Sequence, residues 1–337
     1  MNIAILGAGV VGASVAYHLA RRGCDVTVYD RASDFGAGST ARATGGYRAQ
    51  FDTEINVRLS LLSREKLLRF EEETGVDPGY APRGYLFLAC TDEELHALSE
   101  AQKLQHACGL TEARMIDARE AKTLNPKIGD DSIIGGAFCP TDGFIKPMNI
   151  LRGYAEAAQR LGAKFVFNAA NADGDVHGDI LVDARGAWCG APVVPVRRNV
   201  AATVPTDVLR PDMPMTIWAG DWYHLRVRDG RVLLLWPDDP VVDDDEWLSR
   251  VLEMTRRRMP CLSDVPLGER WSGFYEMSPD GHALLGRVDE NRYVATGSSG
   301  HGVMHSPALG QLLAELIVDG RCSLDVTALD PHRFGLR

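Results

Sequence analysis

Lysine is scarce and one-sided in this sequence: six occur in 337 residues (Lys66, Lys103, Lys122, Lys127, Lys146 and Lys164), and none follows Lys164. The net charge is -10 with no long run of either sign, so the basic stripe of a nucleic-acid-binding protein is missing and no nucleic-acid partner is expected. No CxxC pair or metal-ligand spacing occurs among the seven cysteines. A zinc ribbon is thereby excluded, and Cys24, Cys90, Cys108, Cys139, Cys189, Cys261 and Cys322 are expected mostly as buried small hydrophobes. No stretch approaches the ~18 uninterrupted apolar residues of a membrane span. No basic region precedes the first strand-like run, and the expected location is the cytoplasm. What is present is 45% hydrophobic residues, enough for one large domain or two interleaved ones.

The first thirty residues carry the clearest pattern. Ile3 to Leu6 is a short apolar run, followed at once by Gly7-Ala8-Gly9-Val10-Val11-Gly12, a G-x-G-x-x-G in phase. Val11, Val15 and Leu19 then recur at helical spacing up to Gly23, and Val26, Val28 and Tyr29 make a second strand closed by Asp30. Such a βαβ unit binds dinucleotides: Gly7 permits the tight turn, Gly9 admits a pyrophosphate, Gly12 lets helix pack on strand, and Asp30 accepts from a ribose diol. An acid there disfavours a 2'-phosphate, which leaves FAD and NAD open and NADP least favoured. The next stretch, "FGAGSTARATGGYRAQFD", is rich in glycine and small hydroxyl residues where an NAD-binding half continues into another βαβ repeat. Its backbone and small side chains suit the close approach of a flavin.

Further segments follow in order: Asp30-Arg31 with Gly38-Ser39-Thr40, "DARGAW" (Asp183 to Trp188), "MSPDGHALLGR" (Met277 to Arg287) and "YVATGSSGHGVMHSPALGQLLAELI". Together they resemble the FAD-dependent D-amino-acid oxidase superfamily, in its sarcosine oxidase, glycine oxidase and dye-linked proline dehydrogenase branch, over nearly the whole chain. The resemblance implies an α/β (mixed α+β) fold. A Rossmann-like FAD-binding domain (residues 1–50, 150–195 and 285–337) is expected to interleave with a substrate-binding domain (51–149 and 196–284) built on an antiparallel β-sheet. FAD contacts are implied at Gly7, Gly9, Val10, Val11, Gly12, Asp30, Arg31, Ser39, Thr40, Thr44, Gly45 and Gly46. Others are implied at Ala184, Gly186 and Trp188, and at Gly297, Ser299, Gly300, His301, Gly302, Val303 and Met304. A helix from about Ser306 is expected to aim its positive end at the flavin ring. FAD is expected to be non-covalent, because "FYEMSPDG" lacks the cysteine to which sarcosine oxidases attach it.

Candidate substrate residues come from the same resemblance. Arg48, in "GGYRAQF", matches an arginine that sarcosine oxidases place over the flavin, and a planar guanidinium suits a carboxylate. Tyr275 and Met304 fall where relatives carry a carboxylate-binding arginine and lysine, so both of those cations are missing. Tyr223 and His224 lie near the position of an active-site histidine, just before a hairpin expected around Asp229-Gly230. Two departures stand out: a shortened meander, "NAANADGDVHGDI", and Arg185 in place of a small residue. The implied reaction is oxidation of the C–N bond of an amine or amino acid to an imine, by hydride transfer to flavin N5. A 2-hydroxy-acid oxidoreductase and a non-catalytic flavin-bearing subunit are the alternatives. Sarcosine oxidases also place a lysine from the later strands near N5 to promote reaction with oxygen. This chain offers only arginines such as Arg226 or Arg270, or a protonated His224, so a dye or protein acceptor is favoured over oxygen.

Overall fold

The computed structural model describes residues 1–169 and 178–335; most of the shortened meander, at 170–177, lies outside the described residues. Strands β1 (Asn2–Leu6), β2 (Asp25–Tyr29), β3 (Gly46–Tyr47), β4 (Tyr85–Ala89), β5 (Arg114–Asp117) and β6 (Gly135–Cys139) come first. Next are β7 (Gly143–Phe144), β8 (Lys164–Val166), β9 (Ile180–Asp183), β10 (Val194–Thr203) and β11 (Met215–Trp218). The series ends with β12 (His224–Arg228), β13 (Arg231–Leu235), β14 (Leu267–Met277), β15 (Leu284–Arg287) and β16 (Arg292–Thr296).

A six-stranded sheet in the order β15-β16-β9-β1-β2-β8 forms the nucleotide side, parallel except for β15. Its central strand, β1, buries Ile3 to Leu6 completely or nearly so, as a strand covered on both faces does. Every residue of the helix Val10–Ala20 is buried, because it lies between the sheet and the helices Pro147–Arg160 and Gly302–Asp319. The helices Glu54–Leu68 and Phe70–Thr74, expected with the substrate half, contribute Ile55, Val57, Leu59, Leu67 and Phe70 to this same core.

The second sheet has eight strands in the order β14-β10-β13-β12-β11-β4-β6-β5, antiparallel except where β11 pairs with β4. Strand alternation divides its residues between two faces. Leu86, Leu88, Trp218, Tyr223, Leu225 and Leu234 pack on one side with Trp247 and Val251 of the helix Asp244–Arg258. Tyr85, Phe87, Met215 and Ile217 occupy the opposite side together with Val200, Leu233 and Leu235. The expected hairpin joins β12 to β13, with Asp229 (φ 52°) and Gly230 (φ 71°) both left-handed as a type I′ turn requires.

The cysteines depart from expectation. All seven are free, and only Cys139 is fully buried. The other six are partly exposed, with Cys24, Cys108 and Cys322 at the margin of the first core and Cys90 and Cys261 at that of the second. No helix among the described residues is long and apolar enough to cross a membrane.

Candidate active site

A cavity of about 450 Å³ lies between the two sheets. At one end is the first glycine turn. Gly7 has φ +103°, and a Cβ on it would fall 2.5 Å from Ala184 O; a Cβ on Gly12 would fall 1.9 Å from Gly7 O. Gly12 therefore lies beneath the turn and seats the helix, and it is absent from the cavity wall. A Cβ on Gly9 would meet only Thr40 Oγ1 at 3.7 Å, so the space above the helix N-terminus is open to an anion. Asp30 lines this end while its carboxylate accepts from Ala8 N (2.7 Å) and Ala32 N (2.8 Å). Val10, Val11, Arg31, Ser39, Thr40, Thr44, Gly45, Gly46, Ala184, Gly186 and Trp188 complete it. Arg185 folds back onto Asp183, donating to its carboxylate from Nε (3.0 Å) and Nη2 (2.7 Å).

The late glycine segment supplies the other end. The last helix starts at Gly302, four residues before the expected Ser306. Pro307 sits inside the helix, and Ser306 Oγ donates to Val303 O (2.8 Å), the carbonyl that Pro307 cannot serve. Gly300, Gly302, Val303 and Met304 line the cavity, which brings the positive helix end onto it. Gly297, Ser299 and His301 do not line it. Ser299 Oγ accepts from Ser278 N (3.1 Å), a Cβ on Gly297 would strike Leu284, and the His301 ring turns away toward Arg48.

The second sheet roofs the cavity with His224, Leu235, Val200, Arg198 and Tyr275. Tyr223 is a correction: immediately before β12, it faces the other way from His224, is fully buried, and hydrogen-bonds Thr255 Oγ1 (2.8 Å). His224 Nδ1 lies 2.7 Å from Trp222 O, and burial lowers its pKa to about 4. A carbonyl only accepts, so neutral His224 carries its proton on Nδ1 and keeps the Nε2 lone pair. The protonated His224 considered from the sequence is thus disfavoured. Arg270 is exposed and out of phase with Tyr275, whereas Arg226 is buried. Arg226 Nη1 donates to Thr44 O (2.7 Å) and Gly45 O (2.9 Å), and its guanidinium lies 3.6 Å from the centre of the Phe144 ring. Burial lowers its pKa to about 10, which leaves it charged at neutral pH.

Arg48 is not on the main cavity wall. Its guanidinium covers the Phe51 ring at 3.7 Å, Nη1 donates to Gln50 O, and Nη2 approaches His301 Nε2 at 3.5 Å. Asp142 holds this segment from below, accepting from Ala49 N (2.7 Å) and Gln50 Nε2 (3.1 Å). Full burial pushes the Asp142 carboxyl up to about 6. Asp142, Arg198 and Glu276 were not singled out from the sequence. Glu276 lines the cavity, accepts from Ser298 N (3.1 Å) and Ser298 Oγ, and so ties β14 to the glycine segment; burial raises its carboxyl. The Asp142-Gly143 turn was a usable signal for the first. The other two are recognisable only once β10 and β14 are paired.

These walls would suit an elongated dinucleotide: the open space above Gly9 at a helix N-terminus would take phosphates, and the start of the helix Gly302–Asp319 would face a ring system. Residues 2–316 match the family model described as FAD dependent oxidoreductase (DAO). The chain belongs to this family and is an FAD-dependent oxidoreductase. It is similar to glycine oxidase from Geobacillus kaustophilus, with 26% identity over 363 residues, 96% of this chain and 95% of that protein. Mitochondrial dimethylglycine dehydrogenase from Mus musculus is 28% identical over 387 residues, covering 98% of this chain but only 44% of the relative. Among solved structures, L-proline dehydrogenase from P.horikoshii matches with a TM-score of 0.90 and 30% identity, covering 99% of this chain and 97% of that one.

Proposed function

We propose that this FAD-dependent oxidoreductase oxidises the C–N bond of an amine that bears a carboxylate, releasing an imine that water hydrolyses. The observation that carries the reading is the roof: neutral His224, the Tyr275 side chain and a guanidinium face the cavity together, opposite the nucleotide-binding loops. When bound, the flavin supplies the two-electron acceptor. The chain supplies position and charge. His224 Nε2 offers an acceptor to an amine N–H, and the guanidinium charges around the site disfavour the ammonium relative to the neutral amine. Arg48 and Arg226 lack a carboxylate within salt-bridge distance among the described residues, and Arg198 meets Asp238 only on one side, so the field over the site is positive and suits an anionic substrate. FAD is held without a covalent bond in this reading, because the segment Phe274 to Ser278 presents tyrosine, glutamate and methionine rather than cysteine. A dye or protein, rather than oxygen, takes the electrons onward.

The test is anaerobic mixing of the holoenzyme with amines, amino acids and 2-hydroxy acids, read by loss of visible flavin absorbance. Bleaching by an amino acid or amine is the expected result. Bleaching by hydroxy acids alone moves the protein to the alternative chemistry, and no bleaching by any member removes the catalytic reading.

A further inference from the structure

We propose that Arg198 is the group that clamps the substrate carboxylate, a role that rests on the cavity being the substrate site. Arg198 stands on β10 directly opposite Gly273 of β14, with Val196 opposite Tyr275 in the next pair on the same face. It lines the cavity, while 83% of its side chain is shielded from solvent (17% exposed).

The way the guanidinium is held decides which edge is open. Nη1 donates to the backbone oxygen of Asp238 and to its Oδ1 (3.3 Å). Asp238 is itself buried and fixed by Val242 N, which donates to Oδ2 (2.9 Å). A buried carboxylate on one side of an arginine orients it and leaves the opposite edge to serve something else. Nε is buried and has no partner among the described residues, and Nη2 makes no hydrogen bond there. The Nε–Nη2 edge of an arginine presents two parallel N–H groups, the pattern that a carboxylate accepts bidentately. A buried N–H without an acceptor is costly, so the site is completed by a ligand that brings one.

Tyr275 strengthens the assignment. It lies on the same face, and no residue among those described accepts or donates a hydrogen bond at its hydroxyl, so the phenol is available to the second carboxylate oxygen. Both terminal nitrogens of Arg48, by contrast, already face Gln50 O and His301 Nε2. Arg48 adds positive field, and Arg198 makes the contact.

The experiment titrates oxidised holoenzyme with acetate and follows the visible flavin spectrum, so that it needs no turnover. Arg198→Lys keeps a cation for Asp238 but lacks the fork. The pair Arg198→Gln with Asp238→Asn removes both charges without stranding the buried carboxylate. Each is expected to bind acetate roughly 10- to 150-fold more weakly than wild type while retaining FAD. Wild-type affinity in both variants, with the loss confined to Arg48→Lys, overturns the assignment. So does a wild-type spectrum that acetate leaves unmoved. Failure of every amine and amino acid to bleach the flavin sinks the catalytic proposal instead, and the acetate result still judges Arg198.

Discussion

The ring of Tyr275 lies directly over Gly300, so close that a Cβ added to the glycine would sit 2.4 Å from Cε2 of the ring. Gly300 also has φ +90°, a conformation that side-chain-bearing residues rarely adopt. The contact joins the roof of the cavity to its floor at one point.

Gly300→Ala is accordingly expected to combine backbone strain with a clash, costing on the order of 1–3 kcal/mol and lowering FAD occupancy. Adding Tyr275→Ala relieves the clash but not the strain, so the double variant should recover part of the loss. FAD per polypeptide and the thermal midpoint are the readouts. Equal loss in the single and double variants shows that the ring is not what the glycine makes room for.

Asp30→Ala removes the carboxylate that both braces the turn at Ala8 and lines the nucleotide end. FAD binding should weaken by about 1–3 kcal/mol, the worth of a charged hydrogen bond, with the far-UV spectrum retained. Fluorescence quenching during reconstitution gives the dissociation constant; a value equal to wild type takes Asp30 out of the site.

Asp142 offers a pH test. Its carboxyl titrates at about 6 in the folded protein against 3.8 for the free group, so the native state binds the proton more readily than the unfolded one. The resulting stabilisation is fully present below about 3.8 and is lost as the pH rises through about 6, an upper bound of roughly 3 kcal/mol. Asp142→Asn lacks this dependence. The difference in denaturation free energy, wild type minus variant, should grow as pH falls from 7 to 4; a flat difference means the carboxyl is not perturbed.

The acceptor prediction rests on the missing lysines. His224 is neutral, Arg270 is exposed, Arg226 is turned onto the Thr44 and Gly45 carbonyls, and the cavity-lining Arg198 is already paired with Asp238 and committed to the substrate carboxylate in this reading. Substrate-reduced enzyme should therefore react slowly with oxygen and faster with a phenazine or quinone dye at matched concentration. Stopped-flow reoxidation measures both, and oxygen matching the dye reverses the preference.

The glycine turn and Asp30 were legible because βαβ binding is local: strand, turn, helix and acid lie within thirty residues and fix one another. Gly300, Gly302, Val303 and Met304 were legible by resemblance, and the type I′ hairpin by its Asp-Gly pair. The phase of β12 was not. Tyr223 and His224 are neighbours in sequence and opposites in space, and only the core beneath the sheet says which one faces the cavity. Arg198 and Glu276 were invisible for a related reason. Their roles depend on partners at Asp238 and Ser298, positions 40 and 22 residues away that strand pairing brings together.

Arg226 grips the two carbonyls of the floor loop from a roof strand, with the Phe144 ring against its other side. A fastener placed there makes roof and floor one mechanical unit. The substrate sheet cannot swing away from the cofactor loop without stripping a buried charge of its acceptors, so a clamshell opening is costly. Traffic into and out of such a chamber would then have to pass through small rearrangements at its rim rather than through relative motion of the two sheets.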